Sequence, residues 1–434
     1  MKKTHSKPRI AVIGSGISGL SAAWLLKNHA DVTLYEAQSR FGGHTHTYSV
    51  KELSNNIAID TGFMVFNHEN YPNLVNLFNH LDVGTYPTDM SFAVSMNGGQ
   101  LEYAGSTINS LFGQRSNLLR PGHWRMLSDV SRFNRAALGA LELSHNVRTL
   151  GEFLDEHQLS QEFRSNYLYP MAAAIWSCPI KWMQDYPAER FLRFFANHGL
   201  LRVTNHLQWH TVVDGSRAYL NKMLSSLGGQ ALSNQAVSSI TREKNQVRVK
   251  STDTCEIFDQ VILACHSNES LKLLADATPE EKSMLQGIPY QPNRVLLHSD
   301  TNLMPLRKRV WSSWNLLADT QRTKQEHPVS VTYWMNSLQH LQTDNDYFVS
   351  LNPMKEPEPK HKIAEFEYEH PVFRDESLGS QNLLRVIQGR NNTWFCGAWT
   401  GYGFHEDGLK SGMEVARGLG ATIPWEIIQS GKAA

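Results

Sequence analysis

Apolar and polar positions follow two different periods along this chain, and the changes of period mark its parts. Ile10 to Ile13 is an unbroken apolar run of strand length; beyond it Leu20, Ala23, Trp24 and Leu26 recur at helical spacing, and Val32 to Tyr35 is a second β-rich run. Ile57 and Ile59 predict a strand, Asn73 to Leu81 a helix, and Met90 to Met96 a strand that turns through NGGQ into Leu101 to Tyr103. Strand patterns then stop. Between 105 and 200, including Trp124 to Leu143, Leu150 to Leu159 and the aromatic-rich Arg190 to Leu201, the spacing is helical, which predicts a helical insert. From Gln235 the period of two returns in AVSSITREKNQVRVKS, FDQVILACH, YQPNRVLLHSD and PVSVTYWMN. NPMKEPEPKH reads as an exposed loop, TWFCGAW as a strand, and GLKSGMEVARGLG as a helix opening near Gly408 and ended by glycine.

The junction between the first strand and the first helix carries the most specific signal. Gly14, Gly16 and Gly19 stand there as G-x-G-x-x-G, and the second strand ends on Glu36. In such a unit Gly14 makes the tight turn, Gly16 admits a pyrophosphate to the backbone, and Gly19 lets the helix pack close to the strand. The phosphates rest on the helix N-terminus, and the Glu36 carboxylate accepts hydrogen bonds from ribose hydroxyls. Ser15 and Ser18 lie within the turn and join the expected cofactor-binding set.

Composition narrows the picture. The 434 residues allow two or three domains and a large core. Lysine plus arginine and aspartate plus glutamate are 41 each, so no net field recruits nucleic acid. Four scattered cysteines, Cys178, Cys255, Cys265 and Cys396, form no C-x-x-C pair and no metal-ligand spacing, so neither a disulfide framework nor a metal is expected. No apolar run is long enough to span a membrane, and the expected location is cytoplasmic. One stretch, SLFGQRSNLLRPGHWRML, sets Arg115, Arg120 and Arg125 beside Leu118, Leu119 and Trp124, a pattern that suits peripheral contact with anionic lipid as well as an ordinary amphipathic helix.

After Glu36 the chain reads Arg40-Phe-Gly42-Gly43-His44, which resembles the second fingerprint of the flavin amine-oxidase superfamily. The resemblance extends through Val237 and VILACH to Cys396-Gly397-Ala398-Trp399 and the Gly408 to Gly412 segment, so it spans nearly the whole chain. It implies an α/β protein with a discontinuous Rossmann-like FAD-binding domain (1–85, 205–268 and 380–434) and a substrate domain (86–204 and 269–379) with a mixed sheet and the helical insert 105–200. It implies FAD, and because no cysteine or histidine stands in a recognised attachment motif the flavin is expected to be held without a covalent bond. By this likeness Arg40, Gly42 and Gly43 contact the pyrophosphate and ribityl region, with His44 where relatives carry a second arginine. Val237 contacts the adenine, Gly397 and Gly408 belong to the last flavin segment, and Trp399 stands where an acid is usual. Gly62 in DTGFMVFN joins the same set. The sequence is also similar to a bacterial subgroup associated with cyclopropane-fatty-acid-synthase-like methyltransferases, which implies a lipid methyltransferase as an associate.

For the chemistry, the expected reaction is hydride removal from a C–H bond to flavin N5, with a lipid-like unsaturated acyl substrate. Small-amine oxidation and a flavin-binding partner without turnover are the alternatives. The lysine that amine oxidases place on a substrate-domain strand is matched only by Arg294, which cannot act as a base. His405 and Glu406 precede the last helix, where an imidazole and a carboxylate suit proton transfer. Capping of that helix is an equal reading for Glu406. His198, His206 and His210 are expected to be structural.

Overall fold

A computed structural model of the chain describes residues 7–53, 55–143, 149–176, 180–202, 207–319, 329–373 and 375–426. His206 and Cys178 lie outside these residues. The apolar runs at the N-terminus form the centre of a parallel five-stranded sheet. Arg9–Ile13 pairs with Asp31–Tyr35 on one side and Gln260–Leu263 on the other; Ala231–Leu232 and Thr393–Phe395 complete the edges. Its strands come from three distant stretches, because a parallel sheet needs crossover connections that leave room for insertions.

Helix Ile17–Leu26 is buried along its whole length. The sheet covers one side of it, and the C-terminal helix His405–Gly418 crosses the other so closely that a Cβ on Gly412 would meet Ser18 O at 2.3 Å. The expected start of that last helix near Gly408 is corrected to His405: Asp407 accepts from the backbone N–H groups of Tyr402 (3.1 Å) and Phe404 (2.9 Å), which closes the turn earlier.

A mixed seven-stranded sheet forms the second layer, ordered Lys362–Pro371, Tyr290–His298, Phe348–Leu351, Val329–Trp334, Trp314–Ala318, Phe92–Met96 and Leu101–Ala104. The Met90–Met96 hairpin expected from the sequence therefore belongs to this large sheet. One face of the sheet packs Val295, Leu297, Val331, Val349 and Leu351 against the hairpin Thr47–Lys51 and Asn56–Asp60 through Val50, Ile57 and Ile59. The buried Asp60 carboxylate, accepting from Thr47 Oγ1 (2.6 Å), Ser216 N (2.9 Å) and Gln339 Nε2 (3.1 Å), ties that hairpin to both layers.

The helical insert is observed, built around helices Pro121–Leu143, Leu150–Glu156 and Ala188–Asn197 with a core of Phe133, Phe153, Phe163, Phe191 and Phe195. The boundary expected after residue 268 falls too early. Helix Pro279–Gln286 buries Met284 and Leu285 against Ala11, Ile13, Val261 and Leu263 of the five-stranded sheet, so the chain leaves the nucleotide layer only after Ile288. Among the described residues no helix is long and apolar enough to cross a membrane.

Candidate active site

The glycine turn shows the division of labour that its spacing implies. A Cβ on Gly19 would lie 2.0 Å from Gly14 O, so only glycine lets the helix sit this near the strand. Gly14 has φ +104°, and a Cβ there would lie 2.9 Å from Ala264 O, which leaves no room for a side chain. Gly16 differs: a Cβ there meets nothing within 4 Å. Open space at this one glycine, at the start of a helix whose first turn has no side-chain cap and no acid, is what a pyrophosphate approaching the backbone requires.

Ser15 joins the two halves of the cradle. Its hydroxyl donates to Glu36 Oε2 (2.5 Å) and accepts from Gly42 N (2.9 Å), while Glu36 Oε1 accepts from Gln38 N (2.9 Å). Gly43 lies 3.2 Å from Gly16 Cα, measured from where its Cβ would stand, and Arg40 Nη1 donates to Gly43 O (2.8 Å). The segment carrying Val237 is drawn to the same end by Gln235 N donating to Glu36 O (2.9 Å). Val237 itself lies in irregular chain just before strand Ser239–Glu243.

Other expected contacts do different work. Gly62 packs beneath the His44 loop, where a Cβ would be 2.1 Å from His44 O. Gly408 packs on Ile17, where a Cβ would lie 2.8 Å from Ile17 Cγ2, which brings the N-termini of two helices together. Ser18 is buried at the same crossing. Gly397 holds Ser411 Oγ through its N–H (2.9 Å), and Trp399 is sunk in the core with its indole N–H on Cys265 O (3.2 Å), so its ring is not offered to a ligand.

Beyond the cradle, toward the seven-stranded sheet, histidines and aromatic rings converge. His44 sits between Tyr368 (5.1 Å between ring centres) and His370 (5.2 Å). His46 Nδ1, Thr61 Oγ1 and Tyr368 OH form a triangle of 2.7, 2.8 and 2.9 Å contacts, and the Phe366 and His46 rings meet at right angles, 4.7 Å between centres. His405 stacks on Phe63 (3.9 Å, 11°) and its Nε2 meets Tyr219 OH at 2.6 Å; Tyr219 in turn bonds Thr45 Oγ1. Burial pushes the imidazoles down, His405 to about 3 and His46 and His370 to about 4, with His44 well below its usual value. All four are neutral near pH 7. Each residue nevertheless keeps part of its surface accessible, and the four stand together where the cradle meets the seven-stranded sheet. His44 Nε2 is buried with no hydrogen-bond partner, a polar atom that a bound group would satisfy.

Two of the three expected catalytic residues are placed elsewhere in function. Glu406 caps a neighbouring helix and not its own: its carboxylate accepts from Asn73 N (2.9 Å), Asn73 Nδ2 (2.7 Å) and Leu74 N (3.0 Å) at the start of Pro72–His80. Arg294 alternates to the outer face of its strand, where it pairs with Glu356 and with Glu365 (2.6 Å). The inward position is Asn293, fully buried and opposite Tyr368. His405 does face the lined space, but an imidazole held near 3 is a weak base at neutral pH, which argues for orientation over proton transfer.

His46, Thr61, Tyr219, Tyr368 and His370 were not expected. A signal for two of them exists in AEFEYEHP, where Phe366, Tyr368 and His370 alternate with glutamates.

The flavin-containing amine oxidoreductase family matches residues 17–335. The chain belongs to that family. Members of that family are flavin-containing oxidoreductases, and the match implies a flavin cofactor. In sequence, 51 residues are 53% identical to tryptophan 2-monooxygenase of Allorhizobium ampelinum, covering 11% of this chain and 7% of that protein. In structure, it is similar to cyclohexylamine oxidase from Brevibacterium oxydans (15% identity, TM-score 0.68, 98% of this chain and all of that one, 100%). It is similar to a fatty acid isomerase from P. acnes as well (16% identity, TM-score 0.65, 94% and 98%). At these identities the two structures show the fold alone.

Proposed function

We propose that the enzyme oxidises an uncharged, lipid-like acyl chain at an activated C–H bond, using FAD held without a covalent link. The observation that carries this reading is the neutrality of the lined space. His44, His46, His370 and His405 are all held uncharged by burial, and the carboxylates of Glu406 and Asp407 are consumed by helix capping. A small ammonium would lose its hydration there without meeting a free anion. A hydrocarbon chain loses nothing. The cradle of Gly14, Ser15, Gly16, Glu36, Arg40, Gly42 and Gly43 would hold the dinucleotide, and the orphaned His44 Nε2 fits a polar group of the same cofactor. When bound, the flavin supplies the two-electron acceptor. The chain supplies the rest: Phe366, Tyr368 and His370 shield the space from water, and the Thr45, Tyr219, His405 relay fixes one ring orientation against Phe63.

Relatives of the fold include both an amine oxidase and a fatty acid isomerase, so likeness alone leaves the substrate class open and the site has to choose. The test is anaerobic addition of long-chain unsaturated acyl esters or primary amines to the purified protein while flavin absorbance is followed. Bleaching by acyl chains and not by amines is expected. Bleaching by amines alone overturns the reading. Denaturation should release FAD into the supernatant; colour remaining with the precipitated chain would show a covalent link.

A further inference from the structure

One surface, far in sequence from the cradle, carries large apolar side chains that stand exposed. Ile108 is 80% exposed, Leu119 87% and Leu306 74%, and Leu118 and Trp124 stand out beside them. Three short segments present these side chains, and contacts hold the segments together. Arg120 Nη1 donates to Gln100 O (2.7 Å) in the Met96–Leu101 turn, and Arg307 Nη1 donates to Gly99 O (3.1 Å) in the same turn. Trp124 packs on Phe112 (5.1 Å between ring centres), and Gly113 abuts Val310 and Arg309.

The charge on these segments is one-sided, although the whole chain is balanced. Residues 97–127 and 301–311 carry Arg115, Arg120, Arg125, Arg307, Lys308 and Arg309 against a single acid, Glu102, which is fully buried. Arg307 pairs with that Glu102, Arg125 with Glu162 (2.8 Å) and Lys308 with Asp346 at 3.9 Å. Arg115 and Arg120 bond only to carbonyl and amide oxygens among the described residues. A surplus of positive charge therefore rings the exposed leucines.

We propose that this face docks on an anionic lipid bilayer, with Ile108, Leu118, Leu119, Trp124 and Leu306 entering the interface and the arginines meeting the headgroups. Isolated apolar side chains on short turns, interleaved with arginine, match a lipid interface, where apolar burial and attraction to negative headgroups add. A second copy apposed through the same face would bring two positive rims together. The inference stands on the surface alone and holds for either substrate class.

The experiment is co-sedimentation of the flavin-loaded protein with vesicles of phosphatidylcholine alone or with one third phosphatidylglycerol, at low and high salt. Binding to the anionic vesicles, weakened by salt, is expected. Arg115→Gln and Arg120→Gln should each weaken it by about fivefold, the effect of one basic residue near such a surface. Leu119→Asp should abolish it while flavin content and melting temperature stay at the parent values. Equal binding to both vesicle types, no binding to either, or Leu119→Asp binding as the parent does would overturn the proposal. So would a dimer in solution that Leu119→Asp dissociates, because the face would then join two copies.

Discussion

The glycine cradle and the histidine-lined space are built on opposite physical plans. In the cradle the decisive feature is the absence of atoms: at Gly14 and Gly19 a single added carbon collides with backbone that cannot move away. In the lined space the decisive feature is side chains, delivered by the stretches around His44, Thr61, Tyr219, Tyr368 and His405 and kept neutral by one another's bulk. A cradle shaped by backbone fits one unchanging group, the dinucleotide. Walls of side chains change at the cost of one substitution each, so the same fold can serve different substrates.

The sharpest contrast should come from two glycines three residues apart. Gly19→Val is expected to cost about 3 kcal/mol or more, the upper range for overpacking, because backbone atoms face the new side chain. Loss of soluble folded protein in expression and melting assays checks this. Gly16→Ala should leave the apoprotein's melting temperature unchanged, since its Cβ points into open space, while the absorbance ratio at the flavin and protein bands falls. Full flavin occupancy in Gly16→Ala would break the distinction.

Acid should weaken the fold through the lined space, among other buried histidines. Histidines with an ordinary value of 6.5 are held at about 3 to 4 here, so the unfolded chain binds protons that the folded one refuses. The stability they contribute is complete above pH 6.5 and is lost as pH falls toward those folded values, by about 1.4 kcal/mol per unit for each group at most. Asp60, raised by burial to about 6, has the opposite sign and offsets one of them. His405→Gln should flatten the pH dependence of denaturant unfolding between about pH 6 and 4 by one proton's slope; an unchanged slope would mean that this imidazole is not desolvated.

Glu406→Ala is a smaller perturbation. Removing the cap from the Pro72–His80 helix should cost about 1 to 2 kcal/mol and leave anaerobic flavin reduction at the parent rate. A rate loss of about a hundredfold with retained stability would return Glu406 to proton transfer. Smallest of all is Arg294→Gln, at the outer face of its strand, expected to change neither the melting temperature nor reduction.

The difference between the two plans also sets how much could be read from the sequence. The strand, turn, helix and acid of the cradle lie within one continuous stretch, and each glycine's role follows from its place in the spacing. Glu406 misled because its partner helix begins at Pro72, more than three hundred residues away in the chain, and only tertiary packing brings that N-terminus to it. Arg294 was a matter of period: it falls on the face opposite Asn293, Val295 and Leu297, and although Leu296 on its own face is buried, at position 294 that face lies beside Glu356 and Glu365. The histidines needed pairings between residues around 44 and around 370, and nothing local in GGHTHT announces Tyr368 as a neighbour.

If the lined space is neutral, the pH profile of anaerobic flavin reduction will show it. Once a reducing substrate is in hand, the first-order reduction rate should stay level between about pH 5.5 and 8 in the parent and in His405→Gln, because no lining group titrates in that window. A step or bell with an apparent pKa between about 6 and 7 in the parent, removed in His405→Gln, would reveal an imidazole that ionises during catalysis and would contradict the account.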